Sequence, residues 1–187
     1  MEHWHRSGQA LLNEISSTHL PASQLAVWSI GQCGFIFKYE DTVVCIDPVL
    51  SDLTGPSGSR RCYPAPFAPE ALRADLVLCT HGHADHMAKE TLRGLARHPG
   101  TRFVFPSGCS ALAADYGIPA DRITTVQEGS LLPLDGVTIR AFSAAHPEHI
   151  LDAGDPGMAL GYQLTFGGFT VVHLGDTYLT PHLYETL

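Results

Sequence analysis

Basic charge is scarce in this 187-residue chain, where 11 Lys and Arg stand against 19 Asp and Glu for a formal net charge of −8. A nucleic acid or an anionic membrane surface would favour a clustered basic face, so neither is expected as a partner. Long apolar runs are missing too. No stretch approaches the roughly 20 residues needed to span a bilayer. The opening residues, MEHWHRSGQALLNEISS, lack the charged and then continuously apolar segments of a secretory leader, so a cytoplasmic protein is expected. Paired cysteines are also lacking. Cys33, Cys45, Cys62, Cys79 and Cys109 form no C-x-x-C, and Cys45 and Cys79 sit in apolar runs, a pattern of reduced, buried thiols. There is no internal repeat, low-complexity run or interdomain linker.

What is present suits one ordinary domain: 44% hydrophobic and 16% charged residues can build a sizeable core. Trp4, Leu11, Leu12 and Ile15 stand at near-helical spacing, which predicts an amphipathic helix over about residues 3–16, before Pro21. Strand signals follow at 25–30, 34–39 and 42–46, with Glu40-Asp41 as a two-residue hairpin connection. Residues 47–69 are rich in Pro, Gly and Ser without periodicity and read as a long surface loop entering a short helix near 69–73. A wholly apolar strand at 76–80, a helix at 89–97, a strand at 102–105 and a helix at 107–116 ended by Gly117 come next. Asp135-Gly136 and Gly167-Gly168 then mark two further hairpins. Strand pairs interleaved with helices in this order predict a mixed sheet covered by helices on one side.

Eleven histidines are many for a chain of this size. The concentration that matters is His81-Gly82-His83-Ala84-Asp85-His86, directly after the apolar strand. Three imidazoles and a carboxylate within six residues suit Zn²⁺, Mn²⁺ or Fe²⁺. A turn is required there, because strand alternation would splay neighbouring side chains to opposite faces, and Gly82 offers backbone freedom for it. His146 follows the strand at 137–142, Asp176 follows the strand at 170–174, and Asp47 ends the strand at 42–46. Side chains at strand ends can be aimed at one point by a rigid scaffold. His3, His5, His19, His98 and His149 read as solvent-exposed.

The order H-x-H-x-D-H, a later His after a strand and a G-D after another strand resembles the metallo-β-lactamase superfamily. The runs LLNEISS…LAVWSIGQCGFIFKYEDTVVCIDPVLSD and PEALRADLVLCTHGHADH more narrowly resemble the branch containing L-ascorbate-6-phosphate lactonase. The resemblance implies an α/β (α+β) chain, the N-terminal half of an αβ/βα sandwich with a mixed β-sheet and flanking helices. It implies two divalent metal ions, zinc or manganese with iron(II) as a further choice. His81, His83 and His146 would hold one, Asp85 and His86 would belong to the second, Asp176 would bridge both, and Asp47 would orient ligands by hydrogen bonding. A hydroxide shared by the metals would attack a carbonyl or phosphoryl centre, with Asp85 relaying a proton to the leaving oxygen. A phosphorylated sugar lactone would make Arg60, Arg61 and Tyr63 candidate anion contacts, the alternative being a solvated basic pair.

Members of the superfamily carry another His ligand in a second βα half. The expectation is therefore a single domain over residues 1–187, truncated at its C-terminus, with the second metal site short of a ligand unless His173, His182 or a partner chain in a homo-oligomer supplies it. The function expected is a metal-dependent hydrolase of a small lactone, ester or phosphoester. Two alternatives stand beside it: a nuclease or phosphodiesterase of the same fold, which the acidic charge disfavours, and an inactive metal-binding fragment.

Overall fold

The computed structural model describes residues 6–53, 61, 64–134, 136–146 and 158–187. Helix α1 (Gly8–Ser17) leads into three antiparallel-paired strands, β1 (Ala26–Gly31), β2 (Gly34–Tyr39) and β3 (Thr42–Ile46). A 3-10 turn at Pro69–Ala71 precedes β4 (Leu76–Leu78), and then come α2 (Lys89–Leu95), β5 (Arg102–Pro106), α3 (Ser110–Asp115) and β6 (Ile123–Val126). β3 to β6 pair in parallel, so the first sheet is mixed, in the order β1-β2-β3-β4-β5-β6.

The remaining strands, β7 (Leu131–Leu134), β8 (Val137–Ser143), β9 (Leu160–Phe166) and β10 (Phe169–His173), build a separate antiparallel sheet in the order β10-β9-β8-β7, and α4 (Pro181–Thr186) follows. The mixed sheet with flanking helices agrees with the sequence pattern. The second sheet agrees with the αβ/βα sandwich that the resemblance implies, although the strand pattern alone predicted one sheet, and the short β6 and α4 were not expected. Residues 1–5, which held the start of the expected first helix, lie outside the described residues, and α1 begins at Gly8.

Strand alternation explains the layering. Along β2 to β5, Ile36, Val43, Cys45, Val77, Phe103 and Phe105 face one side, where they pack with Leu11 and Ile15 of α1, Leu92 and Leu95 of α2 and Ala113 of α3. Their neighbours Phe37, Val44, Ile46, Leu76, Leu78 and Val104 face the other side and meet Ile139, Leu160, Tyr162, Leu164 and Phe166 of the second sheet. The first sheet is thus buried on both faces, which is why its parallel strands read as near-continuous apolar runs.

All three expected hairpins close as two-residue turns, with Tyr39 opposite Thr42, Leu134 opposite Val137 and Phe166 opposite Phe169. The buried Lys38 of β2 donates from Nζ to the carbonyls of Ile15 (2.9 Å) and Ser16 (3.1 Å), placing positive charge at the C-terminal end of α1.

The two sheets are joined at the end that carries the histidines. Leu160 N–H donates to the Thr80 carbonyl at 2.9 Å, His81 bridges Ala159, and the buried Tyr162 hydroxyl donates to the Cys79 carbonyl at 2.9 Å. Leu78→Ala, at the centre of the inter-sheet core, is expected to lower stability by about 2–5 kcal/mol. It should show as a lower urea midpoint with an unchanged slope, while Leu131→Ala at an exposed strand position stays within about 0.5 kcal/mol.

Candidate metal centre

β3 and β4 run parallel and end side by side, which sets Asp47 beside Thr80. Asp47 is fully buried and takes a positive φ of 44°, with its N–H continuing the ladder onto the Leu78 carbonyl at 2.9 Å. Its carboxylate accepts from Thr80 N–H (2.7 Å) and Thr80 Oγ1 (2.8 Å), and it lies 2.8 Å from His86 Nδ1. A buried carboxylate without such donors would cost several kcal/mol, so these contacts determine where the following turn sits.

The segment after Thr80 is a turn, as the histidine spacing demands: the N–H groups of His86 and Met87 both donate to the His83 carbonyl, at 3.0 and 2.7 Å. Gly82 plays a different part from the one expected. Its φ is not in the left-handed region; what it provides is space, since a Cβ there would lie 3.3 Å from Leu112 Cδ2. The left-handed glycine of this centre is Gly175, at φ 62°, where a Cβ would come within 2.9 Å of Thr80 Cβ and which turns the chain into Asp176.

His81, His83 and His146 form one group whose ligand atoms all lie within 4.8 Å of one another. His81 Nε2 is 3.0 Å from His83 Nδ1, and the His146 ring centroid stands 4.8 Å from that of His81 and 4.7 Å from that of His83. Burial, followed by the neighbouring imidazoles of His86, His83 and His146, pushes the His81 pKa down to about 3. A neutral ring with its lone pair among other imidazoles is the protonation state a divalent cation needs, so this donor set fits a metal.

The second group comprises Cys33, His86 and Asp176, again with ligand atoms within 4.8 Å of one another. His86 Nδ1 faces Asp47, which leaves Nε2 pointing at Asp176 Oδ1, 3.2 Å away. Burial pulls the His86 pKa down, but hydrogen bonding to Asp47 and Cys33 outweighs it and lifts the value from 6.5 to about 10. With no cation beside it, the ring therefore holds a second proton between two carboxylates.

The loops that present these residues are cross-tied. Thr177 Oγ1 accepts from Ala145 N–H at 2.8 Å, and Tyr178 N–H donates to the Ala145 carbonyl at 3.1 Å, which locks the His146 and Asp176 loops together. An open cavity of about 350 Å³ lined by His146, Gly175, Asp176, Thr177 and Tyr178 leads to this edge.

Other expected residues fall elsewhere. Asp85 is half-buried in the same turn but belongs to neither group. Arg61 directs its guanidinium at the carbonyls of Val49 and, at 3.1 Å, Ile30, so it braces the loop after β3. Arg60 and Tyr63 lie outside the described residues. His182 pairs with Glu128 at 2.6 Å, whereas His173 lies beneath the centre with its Nε2 2.9 Å from the Cys33 carbonyl. Cys33 and Thr80 were not singled out as site residues from the sequence. The G-Q-C-G turn holding Cys33 gives no metal-ligand spacing by itself.

A two-sheet sandwich with a histidine-rich, metal-competent centre at its strand ends is the class that this fold and site define. The chain belongs to the beta-lactamase superfamily, whose domain description, "Beta-lactamase superfamily domain", matches residues 42–187. It is 27% identical over 158 residues to a UPF0173 metal-dependent hydrolase of Methanosarcina mazei, covering 83% of this chain and 62% of that protein. An uncharacterized protein of Mycobacterium tuberculosis is 33% identical over 129 residues, covering 67% of this chain and 35% of the relative. The chain thus spans about a third of the mycobacterial relative and about three fifths of the methanogen one.

Among solved structures, isothiocyanate hydrolase from Delia radicum gut bacteria superposes with a TM-score of 0.68 at 22% identity, over 87% of this chain and 67% of that one. CmlA, a diiron beta-hydroxylase from Streptomyces venezuelae, gives 0.66 at 23% identity, over 87% of this chain and 32% of that one. Both share the fold. Among the described residues no helix is long and apolar enough to cross a membrane.

Asp47→Asn is expected to weaken metal binding by roughly 10–100-fold, read by titrating Zn²⁺ against a competing chelator; an unchanged affinity would separate Asp47 from the centre. The raised His86 pKa carries its own pH signature in protein stripped by chelation. The His86–Asp47 pair contributes stability in full below 6.5 and loses it as pH rises towards about 10. The urea midpoint of stripped protein should therefore fall over that window, and the fall should be absent in Asp47→Asn.

Proposed function

We propose that the protein is a metal-dependent hydrolase acting on a small lactone, ester or phosphoester, with two divalent cations held side by side. The observation that carries this reading is the meeting of two groups of ligating side chains, His81/His83/His146 and Cys33/His86/Asp176, at the edge where both sheets end. Relatives named metal-dependent hydrolases support the same reading. The cations, zinc or manganese with iron(II) as a further choice, would supply Lewis acidity towards the scissile carbonyl or phosphoryl oxygen and lower the pKa of water there.

The chain's own residues do the rest. Asp47 fixes the His86 ring so that Nε2 faces the centre. Asp176, 44% exposed at its side chain, beside His86 Nε2 and lining the open cavity, would be the carboxylate shared by both cations. Asp85, in the turn between His83 and His86, is assigned the proton relay to the leaving oxygen. A phosphorylated sugar lactone remains the finer reading of the substrate. Since Arg61 is engaged by backbone carbonyls, recognition of its phosphate would fall to Arg60 and Tyr63.

The reading is tested with a γ-lactone, a p-nitrophenyl ester and a p-nitrophenyl phosphodiester. Chelation should abolish hydrolysis and added Zn²⁺ or Mn²⁺ restore it; turnover that survives complete metal removal would end the proposal. His83→Ala should lose about one metal equivalent per chain together with activity. Asp85→Asn should keep its metal content yet lose about 10²-fold or more in kcat, in the range of a removed general acid. Metal loss in Asp85→Asn would make the residue a ligand instead of a relay.

A further inference from the structure

Cys33 differs from the other described cysteines. Cys45, Cys79 and Cys109 are buried, and burial pushes the thiols of Cys45 and Cys79 far up, as expected of inert core residues. Cys33 is the half-buried one, in the two-residue turn between Gly31 and Gly34. That turn is pressed onto the metal edge. A Cβ on Gly34 would sit 2.9 Å from the Asp47 carbonyl, so only glycine lets β2 start so close to the residue that holds His86.

His173 ties the same turn to Asp176. Its Nε2–H donates to the Cys33 carbonyl at 2.9 Å, which leaves Nδ1 with the lone pair that accepts Gly175 N–H at 3.2 Å. One neutral imidazole thus spans the loop that carries Cys33 and the loop that carries Asp176. Between them stands His86, almost fully buried, with Nδ1 taken by Asp47 and Nε2 facing outward.

We propose that the Cys33 thiolate is a direct ligand of the second metal position, together with His86 and Asp176, so that the two positions differ in kind: three imidazoles in one, a thiolate, an imidazole and a carboxylate in the other. The proposal rests on the two-metal reading above. The separations suit it. Tetrahedral zinc with bonds of about 2.0–2.1 Å to N and O and about 2.3 Å to S sets N···O near 3.4 Å and S···N near 3.6 Å. His86 Nε2 and Asp176 Oδ1 are already 3.2 Å apart, and Cys33 Sγ lies within 4.8 Å of both ligand atoms, so a shift of about 1 Å closes the set. A thiolate ligand favours zinc, cobalt or cadmium over manganese at that position. On binding, the thiol proton and the second proton of His86 are released to solvent as the S–metal and N–metal bonds form, with no change of oxidation state.

The test is a Co²⁺ titration of the whole chain after chelation, followed by absorption from 300 to 800 nm, for wild type and Cys33→Ser. The expected result is two equivalents on wild type, with visible d–d bands for both and a near-ultraviolet thiolate-to-cobalt band tracking the second. Cys33→Ser should lose that band and bind its second equivalent at least tenfold more weakly, while the first is unchanged. Two equivalents with no near-ultraviolet band, or with a band that persists in Cys33→Ser, overturn the Cys33 assignment and leave the two-metal reading standing. Fewer than two equivalents on wild type with no such band overturn both. A second measurement needs no variant: saturating Zn²⁺ should slow iodoacetamide alkylation of Cys33 at least tenfold, read by peptide mass, and equal Mn²⁺ should not. Alkylation unaffected by zinc counts against ligation.

Discussion

The carboxylate of Asp47 is the constraint on which the metal edge depends. It is removed from water at the end of β3 and held in a backbone conformation that costs a non-glycine residue roughly 1–3 kcal/mol. Thr80 N–H, Thr80 Oγ1 and the His86 ring all converge on it, so the end of β3, the start of the histidine turn and the orientation of His86 are one linked unit. The Thr80 carbonyl, on the opposite side of the same residue, receives Leu160 N–H from the second sheet. Disturbing Asp47 would therefore loosen the ligand turn and, through Thr80, the junction of the two sheets.

From that unit the centre divides into two environments. Among His81, His83 and His146 the charged form of His81 is suppressed by burial and by neighbouring rings, which leaves lone pairs for a cation. Around His86 the balance reverses, because hydrogen bonding to Asp47 and Cys33 outweighs desolvation. The two groups of side chains thus suit a cation for different reasons, one through neutral donors and the other through negative charge. The fold alone does not decide what such a centre does. An isothiocyanate hydrolase and a diiron beta-hydroxylase share this architecture, and the chemistry resides in the side chains placed on it.

Much of the architecture was legible in the sequence because short-range signals carry it. Runs rich in apolar and β-branched residues marked β2, β3, β8 and β9, and the two-residue connections at Glu40-Asp41, Asp135-Gly136 and Gly167-Gly168 set hairpin registers. β6 escaped because four residues, ITTV, paired on one side only, make too short a pattern to separate from loop. Division into two sheets was hidden from the strand pattern for another reason. β3 to β5 are buried on both faces, so their apolar runs do not reveal that a second layer lies opposite the helices. Arg61 was readable as a cation in a loop, but that its donors would go to the Ile30 and Val49 carbonyls depends on how the loop folds back.

The sequence by itself determined the ligand turn, the strand ends that carry Asp47, His146 and Asp176, and hence membership of a metal-binding family, since these rest on spacing within a few residues and on residue type. The family resemblance already put His146 with His81 and His83; the tertiary structure brings these three side chains together and alone decided that Cys33, not Asp85, joins His86 and Asp176. The grouping of His146 with His81 and His83 joins residues 65 and 63 positions apart, and Cys33 meets His86 and Asp176 across 53 and 143. No local pattern encodes such separations. They follow from β1–β2 and β3–β4 ending at the edge where β8 and β10 of the second sheet also end, and from hydrogen bonds through Asp47, Thr80 and His173 that hold those ends together.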